Sequence, residues 1–467
     1  MTRLGHSCQI IPPYLLQELG RTGALPQEVV DATLRQDERF RQQRSGRGSG
    51  AATLPGPSGQ ATPQAAPADP QARWTVHDAQ NTEELPGTPV RSEGEPATGD
   101  EAVDEAADGI TATLNVYRDV YSRDSYDGKG ARAMLTVHYG KDYANAFWDG
   151  TYLVFGDGDG KVFGRFTAAL DVLAHEFSHA VTERTTGLVY QGQSGALNES
   201  MSDVFGACVK QWVNKQDAAG GDWVIGDGIF KEGINARGLR DMENPGTAYD
   251  DPQLGKDPQP GHMDDFVQTT DDNGGVHINS GIPNRAFVLA AKAIGGTAAE
   301  GAGRVWYAAL TSGQVKPDSD FAAFAAVTVD QAGDQADAVR KAWEDVGVRP
   351  GAAPGESGSP TPAPEGLPTD PAPTAGAPDE VIVRRSGGVT GQSVEGSVDL
   401  ASDDPRAAQA RDLVDRCDLS AVGDSGQAQP DRFVYAVRVG DREIQVPEQD
   451  LTPDLAELVA LVLRDRG

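Results

Sequence analysis

The apolar positions along the chain follow two rhythms, separated by stretches that show neither. AMLTVHYG and TYLVFGDGDGKVFG read as short strands, and the Gly-Asp pairs of the second predict hairpin turns. Further on, PNRAFVLAAKAI, AGRVWYAAL, FAAFAAVTVDQA and ADAVRKAWEDV set apolar residues three and four apart, as on one face of a helix. Between the two regimes lies DVLAHEFSHAVTE, inside a run without Gly or Pro from 165 to 186. The pattern predicts an α+β domain over 71–348, with a β-rich lobe at 71–170, a helix at 171–185 and a helical lobe at 186–348.

Both ends carry further pieces. Within 1–45, PYLLQELG and EVVDATLRQDERFRQQR read as short amphipathic helices. Residues 46–70 and 349–377 are rich in Gly, Pro and Ala, bury no core and read as linkers. The last piece, 378–467, begins with strand-like VIVRR and a helical DPRAAQARDLVDRC. It continues with a hairpin, RFVYAVRVGDREIQV, turning at Gly440-Asp441. It closes on a helix capped by Thr452 with Pro453 at the first helical position, making a small α+β module.

Composition narrows the function. The 467 residues hold 70 acidic against 40 basic side chains, a formal charge of −30 that repels nucleic acid and anionic lipid. A monomer is expected. The three cysteines, Cys8, Cys208 and Cys417, are too few and too scattered for a disulfide framework. Pro12 and Pro13 break the only apolar stretch near the start, and no small-residue cleavage pattern follows, so no signal peptide is read. Synthesis as a soluble cytoplasmic protein is the expectation, with export by a route that needs no signal left open.

Candidate chemistry lies in the Gly-free run. His175 and His179 stand four apart, so on a helix both imidazoles leave one face and can bind one metal, with Glu176 beside it. Alone, the pattern also fits an exposed helix with a glutamate and two solvated histidines. LNESMSDVFG changes the balance: Glu199 supplies a third ligand, and Asp203, one turn on, can accept the second N–H of a bound histidine. Three protein ligands leave one position for water, the arrangement of a catalytic zinc site, with Glu176 as the base that activates that water.

AHEFSHAVTERTTGLVYQGQSGALNESMSDVFG, ANAFWDG, YLVFGDGDG and DNGGVHINSGIPNRAF resemble stretches of the thermolysin family in the same order and similar spacing. RSEGEPATGD and the short leader with its Pro-Pro-Tyr are similar to the protealysin branch. The resemblance implies a two-lobed zinc endopeptidase whose cleft is floored by the helix of His175 and His179. It implies that His277 and Tyr190 stabilise the oxyanion and that Asp272 orients His277. It implies further that Asn145 and the Ala146 backbone hold the peptide and that Arg240 binds a substrate carbonyl. Phe163, Phe166, Val172, Ile225 and Leu239 match the pocket beyond the scissile bond, implying cleavage before bulky apolar residues.

At the family's double calcium site, Asp171, Asp222 and Asp227 keep oxygens, whereas Lys210 and Val224 replace two carboxylates. A lysine ammonium can neutralise the remaining acids, so no paired calcium is expected. GDGDG at 156–160 suits either a calcium loop or a tight turn. Residues 1–45 resemble the branch's short propeptide, implying cover for the cleft. VRRSGGVTG, PDRFVYAVRV and DLTPDLAELVALV resemble emfourin, a small inhibitor of protealysin-like peptidases, and imply an inhibitor carried in cis. The competing readings are a passive C-terminal appendage and, for the whole chain, a catalytically silent binding scaffold.

Overall fold

The computed structural model describes residues 8–35, 71–351, 380–387, 394–400, 406–416, 433–439, 442–447, 451, 455, 458, 459, 461 and 462. The chain divides into two compact units, Met1–Pro362 and Ala363–Gly467. The N-terminal segment belongs to the first unit rather than standing as a piece of its own.

In that unit a six-stranded sheet has the order β1-β5-β6-β4-β2-β3. Its strands are β1 (Cys8–Gln9), β2 (Trp74–Asp78), β3 (Thr88–Ser92), β4 (Ala133–Val137), β5 (Ala146–Trp148) and β6 (Leu153–Phe155). The two-residue β1 forms one edge, paired antiparallel with β5. After it come α1 (Pro13–Thr22), whose Leu15, Leu16 and Leu19 are buried, and a helical stretch α2 at 27–35.

One expectation for the first lobe is not met. The hairpin predicted at the Gly-Asp repeat is absent: β6 runs parallel to β4, and its antiparallel partner β5 precedes it across Asp149–Tyr152. The glycines of 156–160 answer to crowding instead, since a Cβ on Gly156 would lie 2.0 Å from the carbonyl oxygen of Tyr143. The acids there bind the protein: Asp157 Oδ2 pairs with His138 Nδ1 at 2.7 Å, and Asp159 Oδ1 accepts from the amides of Val162 and Phe163, both at 2.9 Å. The lobe is β-rich as expected, and its sheet is backed by helix. A long helix, α3 (Glu101–Tyr121), capped by Asp100, packs on β2 and β4 and against the next helix.

That next helix is α4 (Leu170–Arg184), buried on all sides from Asp171 to Thr182. Beside it runs α5 (Gly192–Val213). A Cβ on Gly206 of α5 would lie 2.8 Å from the carbonyl oxygen of Asp171, so only glycine lets the two backbones approach this closely. The predicted helices of the second lobe are present as α7 (Gly281–Ile294), α8 (Ala302–Thr311), α9 (Phe321–Gln331) and α10 (Ala336–Glu344), preceded by the kinked α6 (Asp272–Asn279). No described helix is long and apolar enough to cross a membrane.

In the second unit, four antiparallel strands lie in the order Val394–Asp399, Glu380–Gly387, Phe433–Val439, Arg442–Pro447. The first of these was not legible as a strand. Helix Ala407–Arg416 and residues near 455–462 complete a core built on Val381, Val383, Leu413, Val437 and Leu458. Both arms of the expected hairpin pair, but Gly440, Asp441, Thr452, Pro453 and Cys417 lie outside the described residues, as do 46–70 and most of 349–377.

Candidate active site

The close approach of α4 and α5 brings three ligand-type side chains to one point. One donor atom from each of His175, His179 and Glu199 lies within 4.8 Å of the others, and all three residues are buried. The imidazole Nε2 atoms of His175 and His179 are 2.9 Å apart, and each is 3.5 Å from an oxygen of Glu199.

The other ring nitrogens fix the tautomers. His175 Nδ1 is 2.8 Å from Asp203 Oδ1 and His179 Nδ1 is 2.9 Å from Asn198 Oδ1. Asn198 spends its amide N–H on the carbonyl of Leu188, so it faces His179 with its oxygen. Both Nδ1 atoms therefore carry protons, and the two Nε2 atoms meet as bare lone pairs beside a carboxylate. Three electron-rich atoms converging without a shared proton fit a bound cation, and the nitrogen and oxygen donor set fits zinc. Burial and the neighbouring His175 lower the pKa of His179 well below its ordinary value, which keeps it a neutral ligand.

Around this centre stand the other candidates. Glu176 is fully buried beside the cluster, and burial, then Glu199, raises its pKa well above the usual carboxylate range. Asp272 to Gly275 all adopt left-handed backbone. That run turns Asp272 back on His277, where Oδ1 meets Nδ1 at 2.6 Å and Oδ2 accepts the backbone N–H at 2.9 Å. Burial would lower the pKa of His277, but Asp272 and Glu199 outweigh it and lift it to about 9. Tyr190 donates its hydroxyl to Glu199 and lies 3.2 Å from His277 Nε2.

The peptide-holding candidates already hold peptide, namely the chain's own N-terminal strand. His277 Nε2 lies 2.8 Å from the Gln9 carbonyl oxygen, and Arg240 Nη1 donates to that of Ile10 at 3.2 Å. Ala146 accepts from the Ile10 amide at 3.1 Å. Asn145 takes both polar groups of Ile11, at 2.9 Å and 3.2 Å. Phe163, Phe166, Val172, Ile225 and Leu239 are all buried in the main apolar core of the first unit, a core that extends through both lobes and also takes in Ile10 and Ile11.

The calcium candidates separate. Lys210 Nζ sits 2.9 Å from Asp171 Oδ2 and 2.8 Å from Asp222 Oδ2, and also donates to the carbonyl of Val224. Burial would lower the pKa of Lys210, but Asp171 and Asp222 outweigh it and hold the ammonium charged. Asp227 is exposed and not among the groups around Lys210. Residues that the sequence did not single out are Asn198, Asn284, whose Nδ2 donates to Asp203 at 2.8 Å, and Gln259, whose Nε2 donates to the carbonyl of His277 at 2.6 Å. Asn198 had one available signal, its place beside Glu199 in LNES.

Comparison with known proteins agrees with this geometry. Residues 65–183 match the thermolysin metallopeptidase catalytic domain, 186–348 its α-helical domain, and 383–463 emfourin. An extracellular metalloprotease of Pectobacterium carotovorum subsp. carotovorum is 46% identical over 347 residues, 73% of this chain and 96% of that protein. Protease PrtS of Photorhabdus sp. (strain Az29) is 51% identical over 282 residues, 59% of this chain and 76% of the relative. Among solved structures, the precursor of protealysin, a metalloproteinase from Serratia proteamaculans, aligns with a TM-score of 0.63 at 46% identity, covering 74% of this chain and all of that one. These relatives overturn one expectation: a protein with the described architecture over nearly its full length is named extracellular, so the cytoplasmic assignment is withdrawn.

Proposed function

Because the chain belongs to the thermolysin family of metallopeptidases, we propose that it hydrolyses peptide bonds before bulky apolar residues, using water activated at His175, His179 and Glu199. Enzymes of this family are zinc-dependent metalloendopeptidases. The observation that carries the reading is the meeting of two imidazole lone pairs and a carboxylate next to the buried carboxyl of Glu176.

A zinc ion bound there supplies Lewis-acid charge and draws the pKa of water toward ~7. Glu176, buried beside the ligand cluster, accepts the proton that the water gives up and passes it to the departing amine. His277, kept protonated by Asp272, and Tyr190 donate to the carbonyl oxygen as negative charge grows on it. Arg240, Asn145 and the backbone of Ala146 align the chain beyond the bond, and the pocket of Phe163, Phe166, Val172, Ile225 and Leu239 selects an apolar side chain.

The N-terminal strand on these same groups supports a precursor held closed by its own leader. The emfourin-like unit supports a second brake in cis: a tether of the 349–377 kind reaches ~90 Å as polyproline, and its effective concentration approaches millimolar. The calcium pair of the family gives way here to Lys210 between Asp171 and Asp222.

The test is peptide hydrolysis by the zinc-loaded protein after maturation by limited proteolysis. Glu176→Gln should keep its zinc by elemental analysis and lose ~10³-fold in rate. Chelation should abolish activity in the wild type. Activity that survives both changes sinks the reading, and a variant that binds zinc with no wild-type activity to lose favours the silent scaffold.

A further inference from the structure

The N-terminal strand does not merely cover the cleft; it is gripped group by group in chain order. The Gln9 carbonyl faces His277 Nε2 at 2.8 Å, and that nitrogen is 3.5 Å from Glu199 Oε2. The next amide, that of Ile10, donates to Ala146 O at 3.1 Å, and the next carbonyl, also of Ile10, accepts from Arg240 at 3.2 Å. Ile11 follows with both its polar groups on Asn145, after which Pro12 and Pro13 turn the chain into α1. Cys8 opposite Trp148 and Gln9 opposite Phe147 continue the register on the other side. The carbonyl at the metal-ligand cluster is thus that of Gln9, and the bond it heads is Gln9–Ile10.

We propose that Gln9–Ile10 is bound as a scissile bond, so that the zinc-loaded chain cuts its own N-terminal strand there. The proposal rests on the peptidase reading above. Water adds its oxygen to the Gln9 carbonyl carbon, the C–N bond to Ile10 breaks, and a water proton travels through Glu176 to the Ile10 nitrogen. The second water proton ends on the same nitrogen, so the products are a Gln9 carboxylate and an Ile10 ammonium, with no other reactant needed. Ile10 is fully buried and its side chain is apolar, the character that an apolar leaving-side pocket selects.

The cut nicks the leader without releasing it. Ile10 and Ile11 keep their bonds to Arg240 and Asn145, and Leu15, Leu16 and Leu19 stay buried, so residues 10–35 remain docked as a bound product. Self-cleavage at this bond and release of the cleft are therefore separate events.

Zinc-loaded full-length protein followed by intact mass and N-terminal sequencing should lose residues 1–9 and begin at Ile10. Glu176→Gln should stay whole, and Ile10→Asp should slow the nick about tenfold or more. Amide exchange on full-length Glu176→Gln reads the register without turnover: the Ile10 and Ile11 amides should be protected, and adding Asn145→Ala should speed exchange at Ile11. Two results overturn the proposal: freely exchanging Ile10 and Ile11 amides, or an unbroken Gln9–Ile10 bond in a preparation that hydrolyses added peptide once matured. A preparation that never hydrolyses added peptide overturns the peptidase reading itself, and the self-cleavage proposal with it.

Discussion

Arg240 grips Asp203 by two parallel hydrogen bonds, Nε to Oδ2 at 2.8 Å and Nη2 to Oδ1 at 2.7 Å, with both side chains buried. The same carboxylate accepts from His175 and from Asn284, so one acid joins a metal ligand to a residue that binds peptide. Burial would raise the pKa of Asp203, but Arg240 and His175 outweigh it and keep the acid ionised. Asp203→Asn should weaken zinc binding ~10–100-fold, because His175 loses its charged acceptor. It should also destabilise the fold by ~3 kcal/mol, since a buried guanidinium loses its counter-charge. Competition with a chromophoric chelator and denaturant melts measure the two effects; unchanged zinc affinity would show that Asp203 does not act through His175.

Lys210 sets a covalently attached charge between Asp171 and Asp222, in the place we propose a cation would otherwise take. Wild-type thermal stability should therefore not respond to calcium or to a calcium chelator at this site. Lys210→Met leaves Asp171 and Asp222 facing each other without a counter-charge and should cost ~3 kcal/mol, less of it in millimolar calcium. A wild-type melting temperature that climbs with calcium and falls on chelation argues against this assignment, provided Asp222→Asn removes the response.

The pairs that failed to show in the sequence share a physical cause. His175, His179 and Glu199 were legible because a metal demands fixed residue types at helical spacing. Helix α3 was not, since Ala102, Ala106, Ala107 and Gly109 on its buried face mute the apolar rhythm. The glycines of 156–160 read as a hairpin because a turn and a close backbone approach call for the same residue. Asn198, Gln259 and Asn284 carry amides that any surface loop also carries, and only the folded chain shows which histidine or acid they meet. Strand β1 is too short for any periodicity, and its identity lies wholly in its partner β5.

His138 ties the start of α3 to the loop after β6, with Nδ1 2.7 Å from Asp157 and Nε2 3.2 Å from Asp100. Its hydrogen bond to the Asp157 carboxylate, partly offset by burial, raises its pKa from the ordinary ~6.5 to about 9. A raised folded pKa means that the fold binds the proton more tightly than the unfolded chain does. The stabilisation, ~2 kcal/mol, is therefore complete below about pH 6.5 and drains away as pH rises through 9. Denaturant midpoints between pH 6 and 10 should fall more steeply in the wild type than in His138→Gln; parallel profiles would remove His138 as the cause.

For the emfourin-like unit, dilution separates an inhibitor acting in cis from one acting between molecules. An inhibitor tethered to its enzyme sees the same effective concentration however little protein is present, whereas one acting between molecules is lost on dilution. After the N-terminal leader has been removed by limited proteolysis, full-length chain should be less active than chain ending at Pro350, by a ratio that stays constant from micromolar to nanomolar enzyme. Cutting within 351–377 should leave the ratio unchanged at high concentration and bring it to one on dilution. Equal activity of the two forms at every concentration would instead make residues 378–467 a passive appendage, and a ratio that falls on dilution without any cut would make the inhibition intermolecular.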